Sequence, residues 1–409
     1  MADKPHIVIM SKGGRYWTGG RQYTLNLLEA LIRARREPGE FDVSVLLDNK
    51  SELPHYEGLR SQLRTCADSD SVQLPFTLAR KAQWRFQRTV LGWVNPRIEE
   101  ALDRIGATFT YPLRSTRLPS ADWIPDFQYK HFPDGSNPAE IAGRKQDFAA
   151  CVRLARHIVL SSAHAEGDCH ELFPQSLGRT SVLRFRVFAD PAWLTPDPLD
   201  TVRRYHLPQR FVLISNALIP TKNHGLVLEA LATLPAAERS DVHVVCTGDL
   251  YDYRNPGFYN GFIARIHELG VRDQVSVLGL IPKQDQTQLL RASLAYLQPS
   301  LFEGWNTGVE EAHLFGKPIL LSDIPVHREQ LPPRSIFFDP RNATDLAARM
   351  KEVFAAPDLV GFDASTERRS LDSYGLLRRD FARDFLDMAI PGPPPIKEPG
   401  LAPGAELPR

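Results

Sequence analysis

A chain of 409 residues is longer than one hydrophobic core ordinarily supports, so two domains of up to about 200 residues each are expected. Lys plus Arg equals Asp plus Glu at 49 each, so nothing in the charge calls for nucleic acid, and the hydrophobic (43%) and charged (24%) fractions are those of an ordinary globular protein. The four cysteines, Cys66, Cys151, Cys169 and Cys246, lack any paired spacing for a zinc site or disulfide framework, and no stretch approaches the roughly 20 apolar residues of a membrane span. A cytoplasmic location is therefore expected, with any membrane contact peripheral, at the inner face.

In chain order, residues 6–10 read as a short buried strand, followed by a glycine-rich loop (Gly13, Gly14, Gly19, Gly20) and an amphipathic helix through Leu25, Leu28, Leu31 and Ile32. Strand-like runs at 43–47, 108–111 and 157–160, separated by helical patterns, predict an α/β first half with a parallel sheet. Within it, residues 78–94 interleave Lys81, Arg85 and Arg88 with Trp84, Phe86 and Trp93. Such a helix either packs its aromatic side on the domain, the preferred reading, or lies on an anionic bilayer. Residues 190–207, rich in Pro and Asp, interrupt the rhythm and mark the domain boundary.

A second alternation follows: 211–215, a helix over 226–234, 243–247, a helix through 263–269, 275–278 and 289–292. A last helix is expected over 373–388. The final 19 residues hold seven prolines and three glycines and cannot bury enough surface to order themselves.

The densest signal is residues 299–318, PSLFEGWNTGVEEAHLFGKP. The apolar Leu294, Ala295, Tyr296 and Leu297 before it read as a buried parallel strand. Val309, Ala312 and Phe315 after it form a helical apolar face, stopped by Gly316, Lys317 and Pro318. Glu303 thus lies in the loop and Glu311 in an early helical turn. Free amides around Asn306, Thr307 and Gly308 can cradle a diphosphate, and the carboxylates can accept hydrogen bonds from hydroxyl pairs.

A glutamate, a glycine-aromatic pair, seven intervening residues in all, a second glutamate followed by Ala, and then Gly-Lys-Pro make this segment resemble the signature of retaining GT-B glycosyltransferases of the family 4 type. The resemblance implies an α/β fold of two Rossmann-like, doubly wound domains facing a central cleft. An acceptor-side domain would span 1–195 and a nucleotide-sugar-binding domain 196–372. A helix at 373–390 would return to the first domain, with a disordered tail over 391–409. By carry-over Glu303 would hold donor-sugar hydroxyls and Glu311 the ribose diol.

Lys222 and Asn223, after the first strand of the second domain, stand where the family grips the diphosphate. Ala217 stands where an arginine is expected, and Asn216 offers a neutral hydrogen bond. Either Arg15, Arg184 or Arg186 supplies the missing cation, or turnover depends more heavily on Lys222. Asn306 replaces the family's usual glycine, so its side chain would contact the phosphate or narrow the sugar pocket. Gly19 and Gly20 match a Gly-Gly pair facing the cleft, or simply a flexible connection. Main-chain contacts near Leu280 and Ile281 would read the base, beside a glycine turn at Gly248.

The acceptor side would include Asp126, Gln128 and His131, with Pro125-Asp126 in place of the family's His-Asp pair. Neither a cofactor nor a metal is expected, since lysine and helix amides would neutralise the leaving group. The reading is a retaining hexosyltransferase using GDP-mannose or a UDP-hexose and a glycan or glycolipid acceptor. A nucleotide-sugar epimerase and a non-catalytic nucleotide-sugar-binding protein are the alternatives.

Overall fold

A computed structural model of the chain describes residues 4–13, 18–35, 40–73, 77–90, 95–133, 137–356 and 359–390. The first lobe opens with β1 (His6–Met10), buried along its whole length because helices cover both sheet faces. It pairs in parallel with β2 (Asp42–Leu47), Ile7 opposite Val43, and with β4 (Phe109–Tyr111), Ile7 opposite Phe109. β3 (Thr65–Asp68) adds to the far side of β2. One bridge, Thr110 to Ser120, leads to a second parallel sheet in the order β5 (Ala121–Ile124), β6 (His157–Leu160), β7 (Thr180–Val182).

The second lobe is a six-stranded parallel sheet. From edge to edge it runs β10 (Val275–Gly279), β9 (Val244–Thr247), β8 (Val212–Ser215), β11 (Ala295–Gln298), β12 (Ile319–Ser322), β13 (Ser335–Phe338). The chain builds outward from β8 to one side and then restarts at β11 on the other. Loops leaving β8 and β11 therefore diverge at the sheet's centre, where α/β sheets open a ligand crevice. Lys222 lies on the first of these loops and Glu303 on the second.

The runs expected at 43–47, 108–111 and 157–160 fall on β2, β4 and β6, while 289–292 is the last turn of the helix Lys283–Ala292. The C-terminal helix is Ala364–Ala389 and begins well before residue 373, because Asp363 caps it by accepting from the Ser365 and Thr366 amides. It crosses both lobes. Tyr374 is buried near the helix Thr307–Leu314 and donates its hydroxyl to Glu310 Oε2 at 2.5 Å. Phe385 packs edge-on against Phe109 and Tyr111 of the first lobe, ring centroids 6.1 and 5.2 Å away. The tail at 391–409 lies outside the described residues.

Candidate active site

A cavity of about 410 Å³ lies between the lobes. Its second-lobe wall starts with the loop after β8, which ends in a short helical turn, Pro220–Lys222, and a left-handed residue, Asn223, at φ 58°. The Asn223 side-chain amide donates to the carbonyls of Pro299 (3.1 Å) and Pro340 (2.9 Å). The Asn223 side chain, expected on the donor, braces the β8 loop against the β11 loop through this amide. That brace places the Lys222 ammonium 2.5 Å from Glu303 Oε1.

Glu303 is held from behind by Gln298, a fully buried residue at the end of β11. Gln298 Nε2 donates to Glu303 Oε1 (2.9 Å) and to Ser300 Oγ (2.7 Å). Its Oε1 accepts from Asn216 Nδ2 and from the Tyr296 hydroxyl, each at 3.0 Å. Both donor hydrogens and both acceptor sites of one amide are thereby used, which fixes its orientation. Burial pushes the Glu303 carboxyl up, but the charge and hydrogen bond of Lys222, together with a hydrogen bond from Ser300, hold it below the usual carboxylate range.

Asn216 reaches Gln298 because the backbone of Gly248 approaches closely. At φ +130°, Gly248 would place a Cβ 2.1 Å from the Asn216 carbonyl oxygen. Gly248, expected at the donor, is not among the residues lining the cavity and lies directly against Asn216, which is.

The helix Thr307–Leu314 aims its N-terminus at the same cavity. Asn306 caps it, Oδ1 accepting from the Val309 amide at 2.9 Å, while Gln330 occupies the Asn306 amide (3.3 Å) and carbonyl (3.1 Å). The Asn306 oxygen is thus committed to the cap. The amides of Thr307 and Gly308, which line the cavity, have no protein acceptor among the described residues. A Cβ on Gly308 would lie 2.0 Å from the Tyr296 hydroxyl, so glycine is needed for this helix to sit against β11.

Glu311 lies outside the cavity lining, with Lys283 Nζ 2.5 Å from Oε1 and Gln286 Nε2 3.1 Å from Oε2. Lys283 starts the helix that follows Ile281, which is half-buried against the core. Each glutamate of the motif therefore sits against its own lysine.

On the first-lobe wall Gly19 lines the cavity, whereas Gly20 is buried, its carbonyl accepting from Thr24 Oγ1 at 3.1 Å. Gly304 fits tightly against Pro125 and Asp126, where a Cβ would meet the Pro125 oxygen at 2.6 Å. Burial pushes the Asp126 carboxyl up, and the charge of Glu303 adds to this. Gln128 spans the cleft, donating to Thr221 Oγ1 at 3.4 Å. His131 is not among the lining residues: its Nε2 lies 2.7 Å from Asp168 Oδ2 and its ring stacks on Phe302, centroids 5.0 Å apart.

Two of the arginines considered as substitutes for the missing cation are committed elsewhere. Arg184 pairs with Glu329 (2.7 Å), and Arg186 pairs with buried Glu310 (2.9 Å). Arg15 lies outside the described residues. Lys222 is the only Lys or Arg among the described residues lining the cavity.

Gln298, Lys283 and Gln286 were not legible as site residues. Gln298 carried a faint signal, a polar residue closing an otherwise apolar strand.

His327 sits behind Glu303, fully buried, with Nδ1 2.9 Å from the Ser322 carbonyl. Burial lowers its pKa from 6.5 to about 4, although Glu303 acts to raise it. Between these values the unfolded chain holds more protons than the folded one. His327 therefore contributes stability that is complete above pH 6.5 and is lost as pH falls toward 4, by roughly 3 kcal/mol at 1.36 kcal/mol per unit. His327→Gln should flatten the pH dependence of the urea midpoint across this window; an unchanged slope would show that His327 is not its source.

Two parallel-sheet lobes facing a cleft, with diverging loops at the second sheet's switch point, give this chain the GT-B fold. Residues 203–369, within the second lobe and the C-terminal helix, match the family model of glycosyl transferases group 1. The chain is 25% identical over 199 residues to the O-antigen chain mannosyltransferase B of Escherichia coli, covering 48% of this chain and 51% of that protein. It is 24% identical over 176 residues to the mannosylfructose-phosphate synthase of Agrobacterium fabrum, covering 40% and 38%. The chain thus spans about half or less of the length of these curated relatives.

Among solved structures, Anabaena HepE in complex with UDP and glucose superposes with a TM-score of 0.64 at 16% identity, covering 94% of this chain and 99% of that one. Sucrose-phosphate synthase from Thermosynechococcus elongatus superposes with a TM-score of 0.67 at 14% identity, covering 95% and 100%.

Proposed function

We propose that the protein is a retaining glycosyltransferase that moves a mannose- or glucose-like hexose from a nucleoside diphosphate to a hydroxyl of a glycan or glycolipid, in polysaccharide assembly. The observation that carries this reading is the Lys222–Glu303 pair, 2.5 Å apart, beside the uncommitted amides of Thr307 and Gly308. A diphosphate seated there would meet a fixed ammonium and a helix N-terminus, both preorganised for the negative charge that grows as the sugar C1–O bond breaks. Glu303 would accept from hydroxyls of the donor sugar, and Glu311 from the ribose once Lys283 shifts aside.

The acceptor oxygen would attack C1 from the face the diphosphate leaves. Its proton would pass to the departing phosphate oxygen, so neither an enzymic nucleophile nor a metal ion at the diphosphate is required. The HepE complexes with UDP-glucose favour a UDP-hexose, and the mannosyltransferase relative favours a mannosyl donor such as GDP-mannose. A thermal-shift panel of UDP- and GDP-hexoses tests the donor assignment. One base and sugar should stabilise the chain well beyond the others, and no stabilisation by any member would contradict it.

The same reading includes a peripheral contact with the inner membrane face through the segment at 78–94. The described part is the helix Leu78–Thr89 and Val90. Trp84 turns inward, its indole donating to Glu100 at 2.8 Å, while Leu78, Phe86 and Val90 are 83%, 55% and 64% exposed beside exposed Lys81 and Arg85. An apolar stripe edged with cations suits anionic headgroups. Wild-type protein should float with phosphatidylglycerol vesicles and Phe86→Asp should float several-fold less; wild type that stays at the bottom of the gradient would remove the contact.

A further inference from the structure

A second cluster of metal-ligating side chains lies on the first lobe, outside the cavity that would hold the donor. His131 ends a short helical turn, Gln128–His131, while His164 and Asp168 lie one turn apart on the helix Ala163–Leu172. One ligand atom from each lies within 4.8 Å of the others. His131 Nε2 is 2.7 Å and His164 Nε2 4.0 Å from the same Asp168 oxygen, Oδ2. A tetrahedral ion with bonds of about 2.0–2.1 Å sets its ligand atoms about 3.3 Å apart, a value these two distances bracket.

The surroundings are those of a supported site. Asp168 is 4% exposed, and its other oxygen accepts from Lys130 Nζ at 2.7 Å, which orients the carboxylate. Lys130 also pairs with Glu171 at 2.6 Å, so the two carboxylates and one ammonium leave one negative charge beside the two imidazoles. The amides of Ala163 and His164 donate to Glu329 of the second lobe, fixing the start of the helix. On the open side His131 and His164 border a cavity of about 250 Å³ shared with Phe302 and Glu303, which leaves room for a water as fourth ligand.

We propose that His131, His164 and Asp168 bind one divalent cation of the zinc class. Two imidazoles and a carboxylate suit zinc or cobalt better than magnesium or calcium, which prefer all-oxygen shells. The site would pin the segment carrying Asp126 and Gln128 to the helix Ala163–Leu172, steadying the first-lobe wall of the cleft. It is separate from the diphosphate position and plays no part in neutralising the leaving group.

The test uses the untagged full-length chain, incubated with Zn²⁺ or Co²⁺ and desalted before metal analysis by mass spectrometry and visible absorption. One equivalent of metal is expected, with the intense visible bands of four-coordinate cobalt. His131→Ala and His164→Ala should each weaken binding at least ten-fold while keeping the wild-type circular dichroism, and Lys222→Ala should bind as wild type does. Failure to retain either ion stoichiometrically would overturn the proposal. Retention unchanged in both histidine variants, the mark of adventitious binding, would overturn it equally.

Discussion

Lys222→Ala is expected to lower turnover of the cognate nucleoside-diphosphate hexose by about 10²–10³-fold, the range seen when one preorganised charge-stabilising donor is removed. The effect should fall at the upper end, because no other described Lys or Arg lines the cavity and Arg184 and Arg186 are paired with Glu329 and Glu310. The same change strands the buried Glu303 carboxylate, and breaking a buried pair from one side costs about 3–5 kcal/mol. Lys222→Ala with Glu303→Gln removes the stranded charge, so stability should recover in the double variant while turnover does not. Saturating kcat and the urea midpoint, measured on both variants, separate the two effects. A kcat within two-fold of wild type would deny Lys222 its role.

Gly248→Ala should be the most damaging single methyl in the second lobe. The residue lies at φ +130°, where a side chain is strained, and its new Cβ would meet the Asn216 oxygen at 2.1 Å and carbon at 2.5 Å. Both are backbone atoms and cannot swing away. The loops after β8 and β9 must part, and Asn216 then leaves Gln298, which orients Glu303. A loss of more than about 2 kcal/mol is expected, together with loss of stabilisation by donor. Gly257→Ala is the matched control, since nothing lies within 4 Å of its added Cβ. Equal urea midpoints for the two variants would show that the close approach is not required.

What was legible in the sequence was local. The strand, loop and helix around Glu303, with free amides at Thr307 and Gly308, follow from apolar spacing and a helix stop within twenty consecutive residues. What stayed hidden depends on contacts distant in the chain. Lys283 meets Glu311 across 28 positions, His131 meets Asp168 across 37, and Arg186 meets Glu310 across 124. β3, β5 and β7 were missed because polar residues interrupt them (Thr65 and Asp68, Asp122, Thr180 and Ser181), and β12 and β13 were missed although they are as short and as apolar as β6 and β8, which were read. Asn223 shows the limit from the other side: its place in the chain matched a ligand contact, yet its amide serves two backbone carbonyls.

The activity proposed for the cleft around Lys222 and Glu303 is cleavage of a nucleotide sugar with retention. Its most direct test is to incubate wild type and Lys222→Ala with GDP-mannose and UDP-glucose in the presence of glycan and lipid extracts. Nucleoside diphosphate release is followed by mass spectrometry and the anomeric proton of the transferred sugar by NMR. One donor should be consumed by wild type alone, and an α-linked donor should yield an α-linked product. A donor that binds but remains intact with every extract, one that returns as its epimer, or a product of inverted configuration would contradict the account.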